Sequence, residues 1–322
     1  MDFGVSVLVF IIAAVGTLVL GLLLKWVDRK VTALVQWRVG PPWYQPAVDI
    51  LKLMGKENMM PSTARGTLFL LAPVIAVSST AAAAAILWHS LIWPDQTFLG
   101  DLIVVVYLLM VPALMTMMGA GASGNPHASV GASREMKLLL SYELPLFLVI
   151  VVAIARAAAM SGGDWSLRLG QLIDAQAAGA PVLWSISGAL AMIIAILCMQ
   201  AKLGQVPFDL AEAECEIMSG VYVEYSGPSL AMFLMSRAML LAVMPLLLIM
   251  LFWGGLNTAW WGYLTFAGKY VLLVALVTLI RNTNPRLRID QTMRLFWYRL
   301  TPAAIVAVIL AIVGAAKGVS WL

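Results

Sequence analysis

The segment FGVSVLVFIIAAVGTLVLGLLL, residues 3–24, decides the fold class of this chain of 322 residues. It contains no charged side chain and matches the roughly 20 apolar residues that span a bilayer as a helix. No basic segment precedes it, and it runs directly into the charged stretch 25–30 without a clean cleavage site. We therefore interpret it as a membrane span and not as a signal peptide.

The composition extends this interpretation to the whole chain. Hydrophobic residues make up 62% of it, charged residues only 11%, and the mean hydropathy is +0.94, which excludes a soluble globular enzyme. The sequence predicts an all-α, polytopic integral membrane protein with about eight transmembrane helices in one domain, residues 1–322. The predicted spans are about 3–24, 67–88, 102–123, 138–160, 182–201, 228–253, 262–280 and 301–316.

The basic residues predict the orientation of these spans. Of the 20 lysines and arginines, 15 lie in the loops 25–66, 124–137, 202–227 and 281–300, two lie in the opposite loops and three lie within spans. Because cytoplasmic loops are enriched in basic residues, we expect these four loops to be cytoplasmic in a multi-pass plasma membrane protein. This bias also explains the net charge of +4 without nucleic-acid binding. The opposite connections are typical of ordinary turns.

Metal ligands are scarce. The chain has two cysteines and two histidines, with no CxxC pair and no Cys/His cluster. A zinc or iron–sulfur site ordinarily takes four such ligands. We therefore expect no metal site and no cofactor in this chain, so that any redox metal belongs to a partner.

Some charged residues lie inside the predicted spans, where each is costly. Glu143 is either a proton-relay carboxyl or an interfacial carboxylate paired with Arg134 or Lys137. Lys269 is similar to the membrane lysines of proton pumps, or it extends its ammonium to the membrane surface. Arg156 and Arg237 either pair with carboxylates or reach the surface in the same way.

The segment 204–228 concentrates acidic residues. If Pro207 opens a helix, Asp209, Glu212 and Glu216 share one face of it, close to Glu224. Lysine and arginine are absent from 205–225. This pattern predicts either a proton-accepting funnel or a docking surface for a basic loop. The first loop of this chain could supply that basic surface through Arg29, Lys30, Arg38, Lys52 and Lys56.

Four groups of residues resemble the NuoH family, which is the H subunit of respiratory complex I. The first loop contains DRK at 28–30, QWRVGP at 36–41 and QP at 45–46, followed by Asp49, KL at 52–53 and KE at 56–57. The second group is PFDLAEAE at 207–214 with EYSG at 224–227, and the third is Arg134 with SYE at 141–143. The fourth is Lys269 and Arg281 with PRLRIDQ at 285–291. The resemblance covers all four basic loops.

The sequence differs from the quinone-reducing members of the family at several positions, and these differences indicate which branch it resembles. Only residues 42–44 separate Gly40-Pro41 from Gln45-Pro46, where complex I proteins have a longer loop at the mouth of the quinone chamber. Arg237 stands in place of a glutamate, and Asp28 replaces another. The short form resembles membrane-bound, energy-converting [NiFe] hydrogenases and related sulfane reductases.

The resemblance implies a membrane anchor that couples redox chemistry to proton or sodium movement. Its partners would be hydrogenase large and small subunits, an iron–sulfur subunit and antiporter-like membrane subunits, with the nickel–iron centre and the iron–sulfur clusters on those partners; membrane lipid would surround it. The alternatives are a quinone-site subunit of complex I and a stand-alone cation transporter.

Two sets of residues are expected to perform this function, and no catalytic residue is expected. Ion transfer and coupling are assigned to Glu143, Asp209, Glu212, Glu214, Glu216, Glu224 and Lys269. Docking is assigned to the loop residues Arg29, Lys30, Arg38, Asp49, Lys52, Lys56, Glu57, Arg134, Arg281, Arg286, Arg288 and Asp290.

Overall fold

A computed structural model describes residues 3–161, 165–212, 214–218, 220–256, 260–319 and 321. The described residues form helices, turns and loops, and none of them lies in a β-strand. Seven helical segments among them are long and apolar enough to cross a membrane, and one further apolar helix is shorter. The predicted all-α, polytopic fold class is confirmed.

Twelve α-helices are described in chain order. They are α1 (Phe3–Val35), α2 (Gln45–Met54), α3 (Gly66–Ile92), α4 (Asp101–Ala122), α5 (Pro126–Met160), α6 (Leu169–Ala178), α7 (Ile186–Lys202), α8 (Glu214–Ile217), α9 (Gly227–Phe252), α10 (Trp260–Thr283), α11 (Ile289–Leu295) and α12 (Thr301–Lys317). A π-helical turn, Phe296–Leu300, joins α11 to α12, so that this last segment is continuous.

The helices extend beyond the predicted spans. Helix α1 continues to Val35, past the predicted end at 24, and α5 begins at Pro126, ahead of the predicted start at 138. Asn125 caps α5, because its side chain accepts a hydrogen bond from the backbone N–H of His127 at 2.8 Å. Much of the charge in the predicted loops therefore lies on rigid helical extensions.

Helix α9 lies at the centre of the bundle and contacts α1, α3, α7 and α10. Most of its side chains are buried, whereas α1, α10 and α12 keep largely exposed apolar faces. An apolar face that would be costly in water is stable against lipid tails. The core therefore surrounds α9 and the buried half of α5, and the outer helices present an apolar surface.

The contact between α1 and α9 is set by a glycine. A Cβ atom on Gly21 would lie 2.1 Å from the carbonyl oxygen of Ala238. Only glycine therefore lets the two helix backbones approach this closely. This approach places the charged end of α1 beside Arg237 on α9.

The connection between α5 and α7 differs from the ordinary turn that the sequence suggests. It contains α6, whose Gln176 donates from Nε2 to the carbonyl oxygen of Met250 at 3.0 Å. The Oδ1 atom of the buried Asp101 accepts from the backbone N–H groups of Leu102 and Leu169, at 2.7 and 2.8 Å. These bonds attach α6 to the bundle, so the expectation of a simple connector is wrong here.

Candidate functional site

A buried ion pair joins α5 to the end of α7. The Nζ atom of Lys202 lies 2.8 Å from Oε1 of Glu143, and the two side chains are 2% and 9% exposed. The ammonium also lies 5.4 Å from the centre of the Tyr142 ring. The suggestion that Arg134 or Lys137 pairs with Glu143 is wrong, because the α7 terminus brings Lys202 to it instead.

A polar cavity of about 410 Å³ opens beside the charged end of α1. Its wall contains four cationic and three acidic side chains from α1, the loop after α7, α9 and α10. The charged residues of this cavity, which we call the charged cavity, are Lys25, Asp28, Arg29, Asp209, Glu212, Arg237 and Arg281.

All three carboxylates of the charged cavity have an arginine partner. Arg281 pairs with Asp28, Arg237 with Glu212, and Arg286 with Asp209. Each pair joins segments that are distant in the sequence. The Oδ1 atoms of Asp28 and Asp209 are nevertheless buried without a hydrogen-bond partner, so each of these carboxylates keeps one free acceptor.

The loop that holds Asp209 and Glu212 is not helical, so the prediction that Pro207 opens a helix is wrong. Gly204 turns the chain with a φ of +59°. The Nε2 atom of Gln200 then donates to the carbonyl oxygen of Val206 at 2.7 Å, and the N–H of Leu287 donates to that of Pro207 at 3.1 Å. Because these bonds satisfy the backbone outside a helix, the loop is held as a tight turn between α7 and the segment before α11.

The acidic residues of this segment therefore separate into two groups. Asp209 and Glu212 face the charged cavity, whereas Glu216 pairs with Arg134 and keeps 55% of its side chain exposed. Glu224 accepts from Nδ2 of Asn125 at 2.5 Å. The side chain of Glu214 lies outside the described part of the chain. The predicted common face of Asp209, Glu212 and Glu216 does not form.

A second, smaller cavity of about 50 Å³ adjoins the charged cavity, and we call it the inner cavity. The two share Asp209, Glu212 and Arg237 in their walls. Its lining also includes Glu135 of α5 and Lys202, the partner of Glu143. The inner cavity therefore lies between the charged cavity and the buried ion pair.

Comparison with known proteins shows the family to which this chain belongs. A family model described as NADH dehydrogenase matches residues 6–312. The H subunit of NADH-quinone oxidoreductase from Geobacillus sp. strain WCH70 is 35% identical over 294 residues, which is 86% of this chain and 84% of that protein. Its counterpart from Ruthia magnifica subsp. Calyptogena magnifica is 31% identical, over 94% of this chain and 89% of that one. The chain belongs to the NuoH-like NADH dehydrogenase family.

A solved structure agrees with this assignment. A chain of the membrane-bound sulfane sulfur reductase, an archaeal respiratory membrane complex, superposes with a TM-score of 0.84 at 30% identity. The match covers 95% of this chain and 99% of that one. This member of the NuoH-like family is therefore a multi-span membrane subunit of a complex I-like respiratory complex.

The residues expected to dock partners separate by exposure. Arg29 and Arg281 line the charged cavity, Arg134 pairs with Glu216, and the Nζ atom of Lys30 donates to the carbonyl oxygen of Val39 at 2.7 Å. Asp49 is half-buried on α2, and the other seven residues of the set are exposed on the first loop, on α2 and around the start of α11, namely Arg38, Lys52, Lys56, Glu57, Arg286, Arg288 and Asp290.

Helix α2 is attached to α1 by an ion pair. The Nη1 atom of Arg29 lies 2.8 Å from Oδ2 of Asp49, and Gln45 donates to the other carboxylate oxygen at 2.8 Å. Partial burial acts to raise the pKa of Asp49, but the hydrogen bonds and the charge of Arg29 outweigh it and lower that pKa overall. The first loop is therefore attached to the charged cavity through Arg29.

Lys269 lies apart from both cavities. Its Nζ atom donates to the carbonyl oxygen of Trp253 at 2.8 Å, at the end of α9 farther from the charged cavity. A cation at a helix C-terminus interacts favourably with the helix dipole. In this fold Lys269 therefore contacts the end of α9 and none of the acidic residues named above.

Sequence reasoning missed three residues of the site, namely Lys25, Glu135 and Lys202. Lys25 and Asp28 are three positions apart and share one face of a helix, and this spacing indicates that Lys25 belongs to the same site as Asp28. No local pattern identifies Glu135 or Lys202, because their positions depend on how α5, α7 and the loop after α7 pack. Among the described residues, no group of three or more His, Cys, Asp or Glu side chains could hold a metal ion.

Proposed function

We propose that this chain is the membrane anchor and ion-coupling subunit of an energy-converting complex of the hydrogenase type. It docks peripheral redox subunits and links their electron transfer to the movement of protons or sodium ions. The observation that supports this proposal best is the series of charged groups from the charged cavity, through the inner cavity, to the Glu143–Lys202 pair.

The energetic cost of these groups supports an ion-coupling role. Removing an ion pair from water costs several kcal/mol per ion, and well-packed apolar residues are often at least as stable in its place. Lys202 and Glu143 are almost fully enclosed, and Arg237 and Glu212 form a second pair nearby. Because buried charges contribute little to stability, their presence along one route favours a functional role, namely the transfer of ions or of electrostatic change, over a stabilising one.

The exposed charges support a docking role at the same end of the bundle. The segments that hold the exposed set are attached to the charged cavity at two points, through the Arg29–Asp49 and Arg286–Asp209 pairs. Following the distribution of basic residues, we assign this end to the cytoplasm and the chain to the plasma membrane. The partners that fit the family resemblance are hydrogenase large and small subunits, an iron–sulfur subunit and antiporter-like subunits. Those partners would hold the nickel–iron centre and the iron–sulfur clusters.

The hydrogenase branch is supported by the short first loop. Three residues separate Pro41 from Gln45, and this short form resembles that of the energy-converting hydrogenases and the related sulfane reductases. Trp37 and Val39 on this loop are almost fully exposed, so they form no apolar chamber within this chain. A quinone headgroup site would need walls that this loop does not supply.

Purification of the intact complex in mild detergent tests this proposal. We expect co-purification of a nickel-containing subunit, hydrogen evolution with an artificial electron donor, and no response to quinone-site inhibitors. Inhibitor-sensitive quinone reduction would assign the chain to complex I, and sulfur reduction without hydrogenase activity would assign it to the sulfane reductases. Ion flux through the reconstituted chain alone would identify a stand-alone transporter.

A further inference from the structure

Glu135 occupies a position that the family resemblance does not explain. It lies eight residues before Glu143 on α5, about 12 Å along the helix axis at the usual rise per residue. It lines the inner cavity together with Lys202, Asp209, Glu212 and Arg237. A direct transfer between Asp209 and Glu143 would have to cross this space.

The other carboxylates near the inner cavity have a fixed cation, but Glu135 does not. Glu143, Glu212 and Asp209 pair with Lys202, Arg237 and Arg286 respectively. No lysine or arginine in the described part of the chain lies within ion-pair distance of Glu135. A carboxyl that no cation holds in the charged form can change its charge at lower cost than one in an ion pair.

The lining of the inner cavity suits a hydrogen-bonded chain of water. The hydroxyl-bearing residues Thr116, Tyr222 and Ser236 contribute to it, and its volume of about 50 Å³ is enough for a water molecule. The Oδ1 atom of Asp209 and the Oε2 atom of Glu143 are buried without a hydrogen-bond partner. Each end of the route therefore keeps a carboxylate oxygen that can accept a proton.

We propose that Glu135 is the carboxyl that passes protons between Asp209 at the charged cavity and the Glu143–Lys202 pair. A proton that has entered from the charged cavity and bound the free Oδ1 atom of Asp209 leaves that carboxyl, crosses a water molecule and binds one oxygen of Glu135. Glu135 then releases a proton toward Glu143 and returns to its starting form, so that one proton enters and one leaves. This inference rests on the proposed ion-coupling function and names its intermediate carrier.

Protons suit this route better than sodium ions. The lining of the inner cavity holds two cations, Lys202 and Arg237, and three carboxylates, of which Asp209 and Glu212 already bind arginines. A sodium ion would find only Glu135 without an arginine partner among these carboxylates, in a cavity of about 50 Å³ that also contains an ammonium and a guanidinium. A proton moves along hydrogen bonds and requires no coordination site.

The test uses the intact complex in proteoliposomes with Glu135→Gln and Glu135→Asp. Glutamine keeps the size of the side chain but cannot exchange a proton. With an artificial electron donor, we expect redox activity in Glu135→Gln to persist while proton uptake falls by about 100-fold, the scale for losing a positioned proton carrier. Glu135→Asp should recover part of the uptake, which a purely structural role would not predict. Asp95→Asn, an exposed substitution far from both cavities, is the matched control.

Infrared difference spectra of the same samples provide a readout that does not depend on pumping. A protonated-carboxyl band that shifts in heavy water should be present in the wild type and absent in Glu135→Gln, and an identical band in both would overturn the inference. Normal pumping by Glu135→Gln together with loss of pumping in Glu143→Gln would also overturn it while the coupling function stands. Sodium uptake that resists a protonophore and is abolished in Glu135→Gln would contradict the choice of proton. If the wild-type complex pumps no ion but the band is still lost in Glu135→Gln, the proposed coupling function is wrong while Glu135 remains a proton-exchanging group.

Discussion

Arg281 and Asp28 form an ion pair that joins the end of α10 to α1, although 253 positions separate them. Beside this pair, Nδ2 of Asn282 donates to Oγ1 of Thr32 at 3.2 Å. The Arg281–Asp28 pair lies in the wall of the charged cavity, and the Asn282–Thr32 bond joins the same two helices beside it. The end of α10 therefore belongs to the same structural unit as the first loop, and a movement of either would change the cavity.

The buried pair Glu143–Lys202 gives a stability prediction. Lys202→Met leaves the Glu143 carboxylate buried without its cation, which should destabilise the protein by about 3 to 5 kcal/mol. The double variant Glu143→Gln, Lys202→Met removes both charges and should recover most of that loss. Chemical unfolding in detergent measures both values. Equal stability of Lys202→Met and the wild type would contradict the enclosed ion pair.

Glu143 and Glu216 should respond differently to substitution by glutamine. Glu143→Gln should stop ion pumping while redox activity with an artificial donor continues, because the residue lies at the inner end of the charged route. Glu216 is half-exposed and paired with Arg134, so Glu216→Gln should loosen assembly most at low salt, and the difference from the wild type should shrink at high salt because the charge is then screened. Parallel assays of pumping and of subunit retention measure these effects. Intact assembly and unchanged pumping in the double variant would show that neither carboxyl is the relay.

Two glycines of α1 provide a matched pair. Gly21→Ala places a methyl group against the backbone of α9 and should cost about 1 to 3 kcal/mol by overpacking, while it widens the charged cavity. Gly16→Ala has no atom within 4 Å of the new methyl group and should be neutral or slightly stabilising. Thermal unfolding of the two variants measures the difference, and similar values would contradict the close α1–α9 contact.

The Arg29–Asp49 contact predicts an acid-sensitive attachment of α2. Because the pKa of Asp49 is lower in the folded protein than its ordinary value of 3.8, this contact stabilises the fold above that value. The contribution is lost as the pH falls through the folded pKa. Both side chains are 38% exposed, so it amounts to no more than about 1 kcal/mol. Asp49→Asn should remove this part of the pH dependence in unfolding measurements, with the exposed Asp290→Asn as a comparison.

The distribution of basic residues predicts which residues can be reached from outside the cell. Cysteines introduced at Thr63 and Thr283 should be protected from an impermeant thiol reagent, and one at Asp95 should react. All three positions are exposed on the protein surface, so protection would come from the membrane and not from burial. Labelling at Thr283 in intact cells would reverse the proposed orientation and move the docking surface to the other side.

The fold class could be predicted because lipid imposes a local rule on the sequence. Runs such as 3–24 must be apolar along their whole length, and hydropathy detects this without knowledge of packing. The helical extension of α1 to Val35 was not predicted, because charged side chains such as Arg29 end an apolar run without ending a helix.

The sequence predicted several members of the site but few of the contacts between them. Asp209 and Glu212 were identified from their clustering, but their arginine partners come from α9 and from the segment before α11. The pairing of Glu143 with Lys202 depends on how two helices cross, and no spacing in the sequence encodes it. The prediction that Pro207 opens a helix is wrong because, after the turn at Gly204, hydrogen bonds to other segments replace those of a helix.

The distance in sequence between Asp28 and Arg281 has a consequence for biogenesis. Asp28 leaves the ribosome 253 residues before its partner, a delay of roughly 13 to 50 s at usual rates of synthesis. During that interval the aspartate at the end of α1 has to remain in contact with water or with another cation. The charged end of this subunit can therefore reach its final arrangement only after its penultimate membrane helix has been synthesised, and a chain that ends before Arg281 would leave Asp28, among the described residues, with only Lys25 and Arg29 nearby.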